Sequence, residues 1–191
     1  MTTIGLIRHG ITEWNCLGKA QGISDIPLNE LGREQALSVG QRLLQEGNWD
    51  LIVSSDLRRA VETASIIGSL LNIPLTYDKR IREIDCGQIE GTTEEERIMK
   101  WGTNWRKLNL GMEKFEDVSN RGVEFVEELA STYNGKQVLI VSHGALIGLT
   151  LQKLLPQVFQ KTYIDNTSVT ILNNCNGEWN CSLYNCTKHI S

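Results

Sequence analysis

The sequence predicts an α/β fold built on one mostly parallel sheet with an antiparallel strand at its edge. Three observations carry that expectation. Short apolar runs alternate with longer stretches of helical periodicity. Two of those runs end in a histidine followed by a glycine. The C-terminal end closes with two strand-like segments joined by Asn176-Gly177, a hairpin turn signal.

Taken in order, residues 3–8 read as a buried strand, apolar on both faces apart from Gly5. Asn29 can cap a helix over 31–46, with Ala36, Leu37, Gly40, Leu43 and Leu44 on the 3.6-residue period and Gly47 as its end. Leu51-Ile52-Val53 is a second strand. Ser55 and Asp56 are candidate caps for a helix over 57–71, in which Leu57, Ala60, Val61, Ala64, Ile67 and Leu71 share a face before Pro74. A brief strand follows at 75–77. The stretch 83–118 is rich in charge, Gly and Trp, with helical character only at 93–101, and reads as an insertion or lid over the sheet rather than core. Regularity returns with a helix over 120–133, a strand over 138–141, an apolar helix over 145–155 and paired strands over 168–173 and 179–184. No repeat, low-complexity tract or linker interrupts residues 1–191, so one domain is expected.

Composition excludes several roles. The net charge of −4, from 23 acidic and 19 basic residues, gives no footprint for nucleic acid or an anionic membrane. The first apolar run is too short for a signal peptide and meets Arg8, and the longest, 145–151, is broken by Thr150. A cytoplasmic location is expected, with the five cysteines as reduced thiols. Cys175, Cys181, Cys186 and His189 match no zinc spacing well, and no metal or other cofactor is expected.

Chemistry concentrates at strand ends. Arg8-His9-Gly10 and Ser142-His143-Gly144 each follow a strand, and in an open α/β sheet both corners fall on the carboxyl rim, where ligands sit. They use two of the three histidines in the chain. Gly144 also opens a helix, whose N–H groups and positive dipole end suit an anion. Ser54-Ser55-Asp56-Leu57-Arg58-Arg59 brings two arginines to the same rim; lying about 100° apart on a helix, only one is expected to enter the site. Arg82-Glu83-Ile84-Asp85 adds a carboxylate. A fixed cation beside a nucleophilic imidazole suits phosphoryl transfer.

These segments, with Gly22-x-x-Asp25-x-Pro27-Leu28, Gly32-x-x-Gln35-Ala36, Thr63-Ala64 and Asn166-x-Ser168-Val169, resemble the histidine phosphatase superfamily, the phosphoglycerate mutase-like proteins, nearly end to end. The resemblance implies a three-layer sandwich with helices on both faces of the sheet. It implies His9 as the nucleophile, Arg8, Asn15, Arg59 and His143 as phosphate clamp, and Glu83 as general acid and base. Glu83 is then expected to be partly desolvated, so that it can hold a proton near neutral pH. Thr12, Gln21, Gly22 and Gly144 are further site candidates. Ile11, Gln88-Ile89-Glu90-Gly91 and Gly111-Met112-Glu113-Lys114-Phe115 depart from the family's common pattern on the substrate-facing side. The expected activity is a metal-independent phosphomonoesterase for small phosphorylated metabolites, acting as monomer or homodimer. The alternatives are cofactor-dependent phosphoglycerate mutase and a narrow enzyme such as α-ribazole phosphatase. Trp101, Trp105, Met112 and Phe115 either line the substrate pocket or pack the insertion.

Overall fold

The computed structural model describes residues 1–190. Its single sheet has the strand order β3-β2-β4-β1-β5-β6, from β1 (Thr2–Arg8), β2 (Leu51–Ser54), β3 (Leu75–Tyr77), β4 (Gln137–Ser142), β5 (Val169–Cys175) and β6 (Glu178–Cys186). The first four neighbours run parallel, and β5 pairs antiparallel with β1. The β5–β6 hairpin turns at Asn176 and Gly177, both at positive φ, as the Asn-Gly signal requires.

Alternate side chains of each strand feed two apolar layers. On one face Ile4, Leu6, Val138 and Ile140 meet α5 (Phe115–Thr132) and α6 (Gly144–Leu154) through Phe125, Val126, Ile147 and Leu151. On the other, Ile7, Ile52, Leu139 and Val141 meet α2 (Glu30–Glu46) and α3 (Arg58–Leu71) through Val39, Leu43, Ala64 and Ile67. Helices therefore cover both faces. Two shorter helices, α1 (Glu13–Cys16) and α4 (Glu94–Trp101), lie outside these layers.

Four local expectations change. Leu37 and Leu44 of α2 are exposed; the buried stripe runs through Gly32, Ala36, Val39, Gly40 and Leu43. A Cβ at Gly40 would lie 2.6 Å from Leu70, so small residues set this helix contact and the large leucines stay outside it. Leu57, not Ser55 or Asp56, is the N-cap of α3 and supplies no side-chain cap; Asp25 from a distant loop takes the Arg58 N–H at 2.6 Å. Asp56 instead forms a two-pronged ion pair with Arg82. α5 starts at Phe115 rather than 120.

The 83–118 segment does more than lie over the sheet. Ile84, Cys86, Ile89, Trp105, Leu110 and Val118 join the α5–α6 face of the core. Trp105 is 4% exposed, donates to Glu94 Oε1 at 3.0 Å and has the guanidinium groups of Arg97 and Arg106 within 5.2 and 4.3 Å of its ring centroid. Its apolar residues are spread over turns and 3₁₀ segments (Gly87–Ile89, Trp105–Lys107), which leaves no helical stripe to read. Among the described residues, no helix is long and apolar enough to cross a membrane, and no three His, Cys, Asp or Glu side chains cluster as metal ligands.

Candidate active site

Strands β1, β2 and β4 end level. Arg8 pairs with Ser142, Ser54 with Val141, and the ladder continues one residue further through His9 N–H to Ser142 O and Ser55 N–H to Val141 O, both 2.9 Å. His9 and His143 therefore emerge side by side, ring centroids 5.2 Å apart. Both are almost fully buried, at 2% and 0% exposure.

The corner after β1 has a partner for each backbone polar group from Arg8 O to Ile11 O. Arg8 O accepts from Thr167 N–H, His9 O from Asn166 Nδ2, and Gly10 N–H donates to Thr63 Oγ1. Ile11 N–H donates to Gln35 Oε1, and Ile11 O accepts from Asn29 N–H. Gly10 packs where a Cβ would fall 2.4 Å from Gly32 O. The last carbonyl, Gly10 O, lies 2.7 Å from His9 Nδ1. A carbonyl only accepts, so Nδ1 carries the proton and Nε2 keeps its lone pair. Burial first, and then the Arg59 and Arg8 charges, push the His9 pKa well below the ordinary histidine value, so the ring stays neutral.

Arg8 donates through Nη1 to Ile164 O, and Arg59 through its two Nη atoms to Ser24 O and Gly22 O. Arg59 is fully buried, whereas Arg58 is exposed and paired with Glu62, so one of the adjacent arginines enters. Burial pulls Arg59 down to about 10 against the pull of Glu83, with Arg8 adding to the fall; it remains a cation. Arg8 Nε, Arg59 Nε and His143 Nδ1 are buried without a protein partner. Buried donors of this kind are costly unless matched by an acceptor, and a tetrahedral oxyanion supplies several. His143 Nε2 lies 2.8 Å from Ser55 Oγ, which accepts from Leu57 N–H. With the Ser55 hydroxyl donating to His143 Nε2, the His143 proton stands on Nδ1 as a further donor. Burial, then Arg59, lowers the His143 pKa as well.

Glu83 is partly buried. Its carboxylate accepts from the N–H groups of Ile84 at 3.0 Å, Ala145 at 3.2 Å and Leu146 at 3.1 Å. The positive end of α6, where Gly144 stands, thus faces the Glu83 carboxylate. Gly144 lies against Arg8, whose Nε would be in ordinary contact, 3.4 Å, with an added Cβ. Thr12 Oγ1 sits 3.0 Å from both Asn15 Oδ1 and Gln21 Oε1, which ties those three residues together beside His9. Gly22, at φ 50° and with no room for a Cβ beside Glu90, lays its carbonyl on Arg59. Of the four lid residues, Met112 lines the groove beside Glu83, Trp105 is core, Trp101 packs against the core and Phe115 is 62% exposed.

Several contributors were given no role from sequence. Asn166, Thr63 and Gln35 lie in the quoted motifs and hold the His9 corner. Glu90 accepts from Ile23 N–H, Ser24 N–H and Cys86 N–H, carrying the 21–24 loop over Arg59. Arg121 was not singled out. A charged residue on the buried stripe of Val118, Gly122 and Phe125 is the signal that marks it.

Comparison with known proteins agrees with this geometry. The model of the histidine phosphatase superfamily (branch 1) matches residues 4–187. The chain is 35% identical over its full length to an uncharacterized phosphatase, PhoE, of Bacillus subtilis, covering 98% of that protein. It is 37% identical to a probable phosphoglycerate mutase, GpmB, of Salmonella paratyphi A, over 81% of this chain and 75% of that one. A solved phosphoserine phosphatase variant from Entamoeba histolytica, in complex with phosphoserine, superposes with a TM-score of 0.85 at 32% identity over the whole of both chains. The chain belongs to the histidine phosphatase superfamily, branch 1, and is an enzyme of the phosphatase type.

Proposed function

We propose that the chain is a metal-independent phosphomonoesterase that hydrolyses small phosphorylated metabolites through a phosphohistidine on His9. One observation carries the reading: His9 Nε2, with its lone pair fixed by the Nδ1–H bond to Gly10 O, stands among the unpartnered donors of Arg8, Arg59 and His143. In the first step Nε2 attacks phosphorus in line, and the ester P–O bond breaks. The leaving alkoxide takes its proton from Glu83, which must enter this step as the neutral acid. In the second step Glu83, now a carboxylate, takes a proton from water, whose oxygen attacks phosphorus as the P–N bond breaks. Charge developing on the equatorial oxygens falls to two arginines and His143 Nδ1–H.

The leaving group's place is the groove of about 360 Å³ beside Glu83. Lys79, Arg82, Asp85, Glu113 and Arg121 give it a polar wall, and Ile23 and Met112 a small apolar one. That lining supports a compact, polar alcohol. The likeness to GpmB keeps mutase activity as the second reading, since the same phosphohistidine could be returned to a bound product.

The test is phosphate release from p-nitrophenyl phosphate in EDTA by wild type and His9→Ala. Turnover that survives EDTA and falls by more than about 10⁴-fold in the variant is expected for loss of a covalent nucleophile. Turnover persisting in His9→Ala would remove the phosphohistidine. With 3-phosphoglycerate and a bisphosphate primer, inorganic phosphate without 2-phosphoglycerate is expected, and the reverse would establish the mutase.

A further inference from the structure

Arg121 lies in α5 and, with Glu113, stands in the wall of the groove beside Glu83, and its hydrogen bonding is complete. Nη1 donates to Arg80 O at 2.6 Å and to Arg82 O at 2.7 Å; Nη2 donates to Glu83 O at 3.1 Å. Nε and Nη2 bind Glu113 Oε1 and Oε2 at 2.9 and 3.0 Å. A guanidinium has five N–H donors in a fixed fork, and these five contacts use all of them. Glu113 grips the same segment one step on: its Oε2 accepts from Asp85 N–H at 3.1 Å, and its own N–H donates to Asp85 O at 2.9 Å. Burial alone would raise the Glu113 carboxyl, but the bonds from Arg121 and Asp85 outweigh it and hold it below the usual carboxylate range.

The segment so held carries Glu83. Its carbonyls point to α5 through Arg121, and its carboxylate points to the first turn of α6 through Ala145 and Leu146. Both helices pack on the same face of the sheet, so Glu83 is fixed from two directions at once. An ordinary surface ion pair would be worth little. This pair is four-fifths buried on each side and spends three of its five donors on main-chain carbonyls next to the proton-transfer residue.

We propose that Arg121, locked to Glu113, is a positioning residue for Glu83 that sets the proton transfer to the leaving alcohol. The inference rests on the phosphatase reading above. It predicts a fault confined to esters whose alcohol must be protonated. Nitrophenolate leaves without a proton; phenolate and alkoxides leave poorly without one.

Single-turnover release of the alcohol from p-nitrophenyl phosphate and from phenyl phosphate tests it with Arg121→Lys, which keeps charge but loses the fork. Phenol release is expected to slow at least about tenfold and nitrophenol release less than about threefold, a split that general acid catalysis produces. Arg121 also lines the leaving-group groove, so KM is read beside the rates: a change in KM without the split in rate assigns Arg121 to binding and overturns the positioning role. Equal slowing of both esters, or slowing of neither, would overturn the positioning role while wild-type turnover leaves the phosphatase reading intact. No release from either ester by wild type would overturn that reading and the positioning role with it. Should Arg121→Lys fail to fold by thermal melting, Glu113→Gln decides: the same split in smaller measure is expected, and its absence counts against the role.

Discussion

His9 and His143 share one physical device: an imidazole stripped of solvent, kept neutral by burial and by two neighbouring cations, with one nitrogen assigned by a hydrogen bond. For His9 the assigned nitrogen frees a lone pair; for His143 it frees a proton. The second assignment depends on Ser55, whose hydroxyl links Leu57 N–H to His143 Nε2. Ser55→Ala is therefore expected to lower kcat on the order of tenfold, about one hydrogen bond's worth of transition-state stabilisation. Nitrogen NMR of the variant should show the His143 proton spread over both ring positions. A fixed tautomer together with unchanged kcat would dissociate Ser55 from the site. At this scale placement was readable where a candidate residue directly follows a buried strand, as His9 and His143 do, because the strand's own pattern places them. Arg121, Glu90 and Asp25 were not readable. They act on main-chain groups of segments distant in sequence, and no local pattern encodes that.

Elements were legible in kind and less so in their faces. Each expected strand and helix forms, yet in α2 only Ala36, Gly40 and Leu43 of the expected stripe are buried while Leu37 and Leu44 face outward, and the close approach of Gly40 to Leu70 of α3 leaves no room there for a larger side chain. The 83–118 segment shows the opposite failure: it contributes a core without a period. Trp105 separates the two readings of that segment. Buried at 4% exposure among Arg97, Arg106 and Glu94, it belongs to packing. Trp105→Ala is expected to cost about 3–5 kcal/mol in chemical denaturation, as large core aromatics do on truncation. KM for different esters should move together. A stable variant with a selective KM change would return Trp105 to the substrate pocket. Met112, which does line the groove, is the residue whose truncation should shift preference among esters.

For the whole molecule, the histidines and the arginine-paired carboxylates tie stability to pH with one sign on the acid side. The three histidines all have folded pKa values below the ordinary 6.5, with His189 lowered to about 4, chiefly by burial. Below 6.5 the unfolded chain takes up protons that the folded chain refuses, so stability must fall as pH falls. The carboxylates held low by arginine partners, Asp56, Asp78 and Glu113, act in the same direction further down the scale: their stabilisation is present above the unfolded carboxylate range and is lost as they protonate. Each of the fully buried His9 and His143 should remove about 1.4 kcal/mol per pH unit below 6.5. Thermal melting should accordingly give a midpoint that is steady from about pH 7 to 8 and declines steeply from about 6.5 to 5. On the proposed reading inorganic phosphate should raise the midpoint, since a ligand bound only by the folded chain stabilises it and an added anion favours imidazolium. His9→Ala supplies the internal control, for it deletes one refused proton and must flatten the acid slope. A midpoint that holds level down to pH 5, or an unchanged slope in His9→Ala, would mean that the two rings are not held neutral by burial. The assignment of His9 as a neutral nucleophile in acid would then fail with them.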